Sequence, residues 1–214
     1  TIDRPRKSAP LIPKNLHIIT GEGSAALSDM QRLISDRWPG FGYTVVPVLV
    51  QGDKAPSQIV KAIEFAQKSA DLIIVGRGGG SPEDLWSFNL ESVCQAIIDC
   101  PVPVVSAVGH ESDFLVSDMI ADIRASTPSN AIERVIPVKD DLIAIIEQAH
   151  DRLDFAVTKI FVRQNERISN LTIRLSAAPM RGITNAKLKQ SKLSSRMISS
   201  IDKFFLKEKN HHTS

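Results

Sequence analysis

Four apolar runs, at residues 16–20, 43–50, 72–75 and 103–108, are each followed by a short cluster of glycine and polar residues. Leu72, Ile73, Ile74 and Val75 follow one another without a polar interruption, as in a strand covered on both faces of a parallel sheet. The run at 43–50 contains Pro47, which cannot donate to a central ladder, so this strand belongs at the sheet's margin or at a bulge. Between the runs the apolar spacing becomes helical. Ala25, Ala26, Met30, Leu33 and Ile34 share a face over residues 24–38, where Pro39 and Gly40 stop the helix. Ile59, Ala62, Ile63 and Ala66 do the same over residues 56–69, and Asn89 is placed to cap a third helix over 90–99. Strands alternating with helices predict an α/β fold with right-handed crossovers, hence a mostly parallel, Rossmann-like sheet of about four strands.

Beyond Pro137 the period changes. Leu142, Ile146, Ala149, Leu153, Ala156 and Ile160 step by four and three; Ile168, Leu171 and Leu175 resume the stripe, and Leu193, Met197, Ile201 and Phe204 form another. Pro179 and Gly182 interrupt them, which predicts two long helices in an antiparallel, coiled-coil-like hairpin whose narrow stripes want a partner helix. The domain plan is then a proline-punctuated linker over residues 1–14, an α/β domain over 15–137 and a truncated helical arm over 138–214.

Hydrophobic content of 43% and charged content of 23% are those of an ordinary globular protein, and no apolar run reaches the roughly 20 residues of a membrane helix. The first residues lack the apolar core of a signal peptide. Cys94 and Cys100 sit in an apolar helical pattern and are expected to be reduced core residues of a cytoplasmic protein. The formal net charge of +2 hides an asymmetry: residues 1–137 hold 12 Lys+Arg against 16 Asp+Glu, and residues 138–214 hold 14 against 8. A basic arm is compatible with nucleic-acid contact or an acidic helical partner, although a solvated helical face also carries such charge.

The chemistry gathers after the strands. Residues 71–89 read DLIIVGRGGGSPEDLWSFN. Gly78, Gly79 and Gly80 remove every Cβ from a loop that must bend sharply, so that bare N–H groups can approach an anion. Arg77 adds a planar fork that matches two phosphate oxygens and Ser81 a hydroxyl donor, which makes phosphate the natural ligand. The bland alternative is a turn beside a surface arginine that binds nothing. Trp86 and Phe88 read as aromatics exposed in a polar context, suited to bases; for Trp86, packing beneath the loop with Leu85 and Phe88 stays open beside stacking on a base. After the fourth run, residues 108–129 read VGHESDFLVSDMIADIRASTPS. His110 and Asp113, three apart, form either an acid–base pair or a satisfied surface pair. Asp118 and Asp122 could join them in a metal site only in part, given helical spacing. The glycine loop lacks the GxGxxG and GxxxxGK[ST] spacings of the usual nucleotide cofactors.

Taken together, VGRGGGSPEDLWSFN at 75–89, PVVSAVGHESD at 103–113, ADIRASTPSNAIE at 121–133 and VQGDKAPSQIVKAIE at 50–64 resemble the catalytic domain of the large subunit of exodeoxyribonuclease VII. The resemblance extends, more weakly, into the helical tail. It implies hydrolysis of single-stranded DNA from both ends to oligonucleotides, in a complex where many copies of a small helical subunit bind the extended helices. It implies catalytic roles for Asp29, Arg77, His110 and Asp113, and substrate contacts for Gly78, Gly79, Gly80, Ser81, Trp86, Arg124 and Thr127. It implies no structural metal and no strictly required cofactor, with magnesium as an optional aid. The OB domain that precedes the catalytic domain in the family is not in this sequence, so a fragment is expected, one that self-associates through its stripes or binds the small subunit incompletely. Two departures stand out. Gly21, Glu22, Gly23 and Ser24 replace a Ser-Pro-Thr-Gly run, where the glutamate is expected to weaken DNA binding, and Ser126 replaces a proline without consequence. The rival expectation is a non-catalytic nucleotide-phosphate-binding module with a helical scaffold arm.

Overall fold

The computed structural model describes residues 5–79, 85–108 and 115–211, with the backbone alone over 204–211. Two apolar runs set the centre of the sheet. Leu16–Thr20 (β1) and Leu72–Gly76 (β3) are buried along their whole length and pair in parallel, Leu16 opposite Leu72 and Ile18 opposite Ile74. Val104–Ala107 (β4) adds to the far side of β3, and Tyr43–Pro47 (β2) to the far side of β1. A fifth strand, Ile123–Arg124 (β5), pairs in parallel with β4, so the order is β2-β1-β3-β4-β5. The edge position expected from Pro47 is therefore where β2 lies, with Pro47 its last residue. The expectation of about four strands misses β5, because two residues carry no period to read.

Helices cover both faces. Ala25–Arg37 (α1) and Pro128–Val135 (α5) bury Met30, Ile34, Ala131, Ile132 and Val135 against Ile18, Ile74 and Val105. On the other face Ala55–Ala66 (α2), Glu91–Asp99 (α3) and Val116–Ile120 (α4) meet Ile19, Ile73, Val75 and Val104 through Ile59, Ile63, Val93, Ile97 and Ile120. A 3₁₀ turn, Trp86–Asn89, sends Phe88 into that second core. Asn89 is not the cap of α3: its Oδ1 accepts from the Val116 amide at 2.8 Å and ties the turn to the start of α4, while Leu90 precedes α3 without a side-chain cap. Cys94 and Cys100 are buried free thiols, and burial pushes the Cys94 thiol's pKa up, which keeps it protonated and unreactive.

Residues 5–15 have no regular structure but are tied down. The Lys7 amide donates to Asp122 Oδ1 at 2.9 Å and its Nζ to the Cys100 carbonyl, and the amides of Lys14 and Asn15 both donate to the Asp71 carboxylate.

Contacts divide the chain into two units, Thr1–Ile146 and Glu147–Ser214. The second is helical over all its described residues, as part of one helix, Lys139–His211 (α6), with Pro179 inside it. The expected antiparallel hairpin is not there. An internal proline costs a helix one hydrogen bond and roughly 3 kcal/mol, which does not of itself reverse the chain. Ala177, Ala178, Met180 and Arg181 around it are strong helix formers. Among the described residues no helix is long and apolar enough to cross a membrane.

Candidate active site

In a sheet of this order the winding reverses between β1 and β3, and the carboxyl ends of those two strands open the crevice where α/β folds bind ligands. Two loops meet there. After β1 the chain enters α1 through Ser24, whose Oγ accepts from the Leu27 amide at 3.1 Å. After β3 come Arg77 and the glycines. A Cβ built on Gly78 would lie 3.6 Å from the Ala26 Cβ and 3.9 Å from the Ala26 nitrogen, so this loop runs against the first turn of α1. The positive end of the α1 dipole and the glycine backbone thus border the same space. The sharp bend expected of the glycines is not what Gly78 supplies: positive φ occurs at Gly23, Gly40 and Gly52, and an alanine at 78 would meet only ordinary contacts. What glycine leaves here is uncovered backbone.

Arg77 is 6% exposed. Its amide donates to the Ala107 carbonyl at 3.1 Å, fixing it beside the end of β4, and Nη2 donates to Gln51 Oε1 at 3.0 Å. Gln51 follows β2, so one arginine joins the ends of three strands. Sequence reading missed this partner; the polar cluster after the second apolar run was its signal.

The β4–β5 side holds a second arginine. Arg124 Nε is 3.9 Å from Asp118 Oδ2, and Asp118 Oδ1 accepts from Ser106 Oγ at 2.5 Å. Asp118 is buried and engaged with groups of the fold, and Asp122 Oδ2 accepts from the amide of Val104 at the opposite, amino end of β4. The two carboxylates therefore do not converge on one ion, as helical spacing had left open. Among the described residues no group of three or more His, Cys, Asp or Glu side chains could hold a metal. Thr127 is the N-cap of α5, its Oγ1 accepting from the Asn130 amide at 3.0 Å, which leaves its O–H proton to donate elsewhere.

Asp29 lies on the exposed side of α1, one turn beyond Ala26, with its carboxylate 3.7 Å from Arg32. Trp86 is 63% exposed whereas Phe88 is fully buried, which corrects the expectation of two exposed aromatics and leaves Leu85 and Phe88 in the core without Trp86. Gly80, Ser81, His110 and Asp113 lie outside the described residues. Beside Gln51 a groove of about 580 Å³ separates residues 21–24 from residues 47–51, walled by Pro47, Val48 and Val50 and bearing Glu22.

Residues 2–214 match the model of the family described as "Exonuclease VII, large subunit". The chain is 42% identical over 172 residues to the exodeoxyribonuclease 7 large subunit of Haemophilus influenzae, covering 79% of this chain and 39% of that protein. It is 47% identical over 150 residues to that of Alkaliphilus oremlandii, covering 69% and 37%, and 37% identical over 202 residues to that of Desulfitobacterium hafniense, covering 93% and 50%. The matched stretch thus spans half or less of each of these relatives.

Proposed function

The chain belongs to the exonuclease VII large-subunit family, and we propose that it carries the hydrolytic part of such an enzyme, cutting single-stranded DNA from both ends into oligonucleotides. The observation that carries this is Arg77: a guanidinium buried at the reversal point of the sheet, beside uncovered glycine backbone and the amino end of a helix, is built to receive a phosphate rather than to sit in solvent. Water attacks a backbone phosphorus and one P–O ester bond to the sugar breaks, the sugar oxygen leaving with a proton, while Arg77 with the amides of Gly78, Gly79, Gly80 and Ser81 takes up the charge that develops on the phosphoryl oxygens. His110 exchanges the proton, oriented by Asp113, and Asp29 positions water. Trp86 stacks on an unpaired base, while Arg124 and the Thr127 hydroxyl hold flanking phosphates. Asp118 and Asp122 are engaged in the fold and are not assigned to a metal; no cofactor is strictly required, and magnesium is an optional aid. The partner is the family's small subunit, in several copies, whose helices cover the stripes of α6 in the cytoplasm.

Single-stranded DNA labelled at either end, incubated with the full-length protein with and without small subunit and with and without chelator, tests the proposal. Short oligonucleotides released from both labels, in chelator as well, are expected. Tight binding without cleavage in every arm would instead identify a phosphate-binding module.

A further inference from the structure

β1 and β2 stay paired to their last residues, Thr20 opposite Pro47, and the Val48 amide still donates to the Thr20 carbonyl at 3.0 Å. Beyond that bond the two chains part. Residues 21–24 turn into α1 through Gly23, left-handed at φ +63°, while residues 49–54 turn toward α2. Between them lies the groove of about 580 Å³ beside Gln51, a size that takes a small ligand.

The lining decides what can enter. Leu49, half exposed, joins Pro47 and Val50 in an apolar surface that suits a flat ring. The polar groups around it are mostly donors. Gln58 Oε1 accepts from the Leu49 amide at 2.8 Å and Gln51 Oε1 from Arg77 Nη2 at 3.0 Å. Those two partners can only donate, so the oxygen of each side-chain amide is engaged and its NH₂ group is left to donate. The Ser24 hydroxyl accepts from the Leu27 amide and likewise keeps its proton. Facing these donors is one acidic acceptor, the exposed carboxylate of Glu22.

A carboxylate repels a phosphate, so the groove does not suit the charged part of a nucleotide. It suits the base. Every base offers ring nitrogens or carbonyl oxygens to the amide and hydroxyl donors. Adenine, cytosine and guanine also carry an amino group that can donate to Glu22, whereas thymine has one N–H between two carbonyl oxygens that the carboxylate repels. Gln51, which lines the groove and bonds Arg77, sets the two sites side by side. We propose that the groove is a base subsite for the nucleotide next to the phosphate at Arg77, and that Glu22 makes it prefer bases with an exocyclic amino group over thymine. This deepens the reading of the crevice as a nuclease site for single-stranded DNA and rests on it.

The test uses oligo(dC), oligo(dT) and an abasic strand of one length, with the full-length protein in its native assembly and its Glu22→Gln variant. Binding is read on phosphorothioate strands and cleavage on natural ones. Wild type is expected to show a Kd and a KM about fivefold lower for oligo(dC) than for oligo(dT), as one hydrogen bond to an exposed charged acceptor gives. Glu22→Gln, whose amide can donate to a carbonyl as well as accept, is expected to bring that ratio within about twofold at an unchanged melting temperature. A wild-type ratio below about twofold would overturn the proposal, and so would a ratio that survives Glu22→Gln. Equal tightening of all three strands in the variant is the form the second failure takes if Glu22 merely repels the DNA backbone. Binding with the expected preference but without cleavage of any strand would leave the subsite standing and remove the hydrolytic reading. Cleavage without preference would do the reverse.

Discussion

The two units of this chain use similar apolar residues to opposite ends. In the first, Ile73, Ile74 and Phe88 are sealed between a parallel sheet and its helices. In the second, Leu153, Phe155, Ile160, Leu171 and Met197 stand more than half exposed along one helix. A side chain contributes to stability only when something removes it from water, so the first unit is stable by its own packing whereas the second presents apolar surface that has yet to be buried. The comparison also divides the functions. A fixed site needs rigid strand ends, and these exist only in the α/β unit.

The largest effect expected separates the two kinds of apolar residue directly. Phe88→Ala should cost about 3 to 5 kcal/mol of unfolding free energy, whereas Leu171→Ala should stay within about 0.5 kcal/mol, read by urea denaturation of the isolated protein. A Leu171→Ala penalty of the Phe88 size would mean that α6 is already packed. Next, Arg77→Ala should lower cleavage about 100- to 1,000-fold, and His110→Ala by at least about tenfold, with both variants folded; smaller losses would remove these residues from the chemical step. Trp86→Ala should weaken single-stranded DNA binding by about 1 to 3 kcal/mol and leave the melting temperature alone, because the ring lies outside the core. A fall in melting temperature with unchanged affinity would make Trp86 structural after all.

The smallest effect lies in the sheet. His17 is buried on β1 with its Nε2 3.4 Å from Ser69 Oγ, and burial lowers its pKa from 6.5, opposed by the carboxylate of Asp71. The unfolded chain therefore takes up this proton first as the pH falls. The stability is complete above about pH 6.5 and is lost as the pH falls through that value toward the lower folded pKa. The urea midpoint of wild type should drop more between about pH 7.5 and 5.5 than that of His17→Gln. Parallel profiles would show that His17 does not sense pH.

Much of the α/β unit was legible because burial writes itself into sequence. Continuous apolar runs gave the central strands, and Pro47 marked the edge. The clusters of glycine and polar residues after each run located the side of the sheet where Arg77, Gly78 and Gln51 meet. What escaped depends on partners remote in sequence. Asn89 looks like a helix cap until Val116 claims its oxygen, Phe88 looks exposed beside polar neighbours until the core reaches it, and Asp118 looks like a ligand until Ser106 donates to it. Gln51 and Arg77, remote in sequence, meet across the end of β1, which lies between their strands. In α6 the error ran the other way: Pro179 is a strong local signal, and strong helix formers on both sides outweighed it.

The central pairing has a consequence for how the chain comes to fold. β1 finds β3 only after the whole β2–α2 segment has been made, so the middle of the sheet closes a longer loop than the β1–β2 pair does. β1 and β2, joined through α1, are the pair available earlier, and β3 then adds to the edge of β1 that remains open. The crevice bounded by β1 and β3 is thus among the later features to assemble.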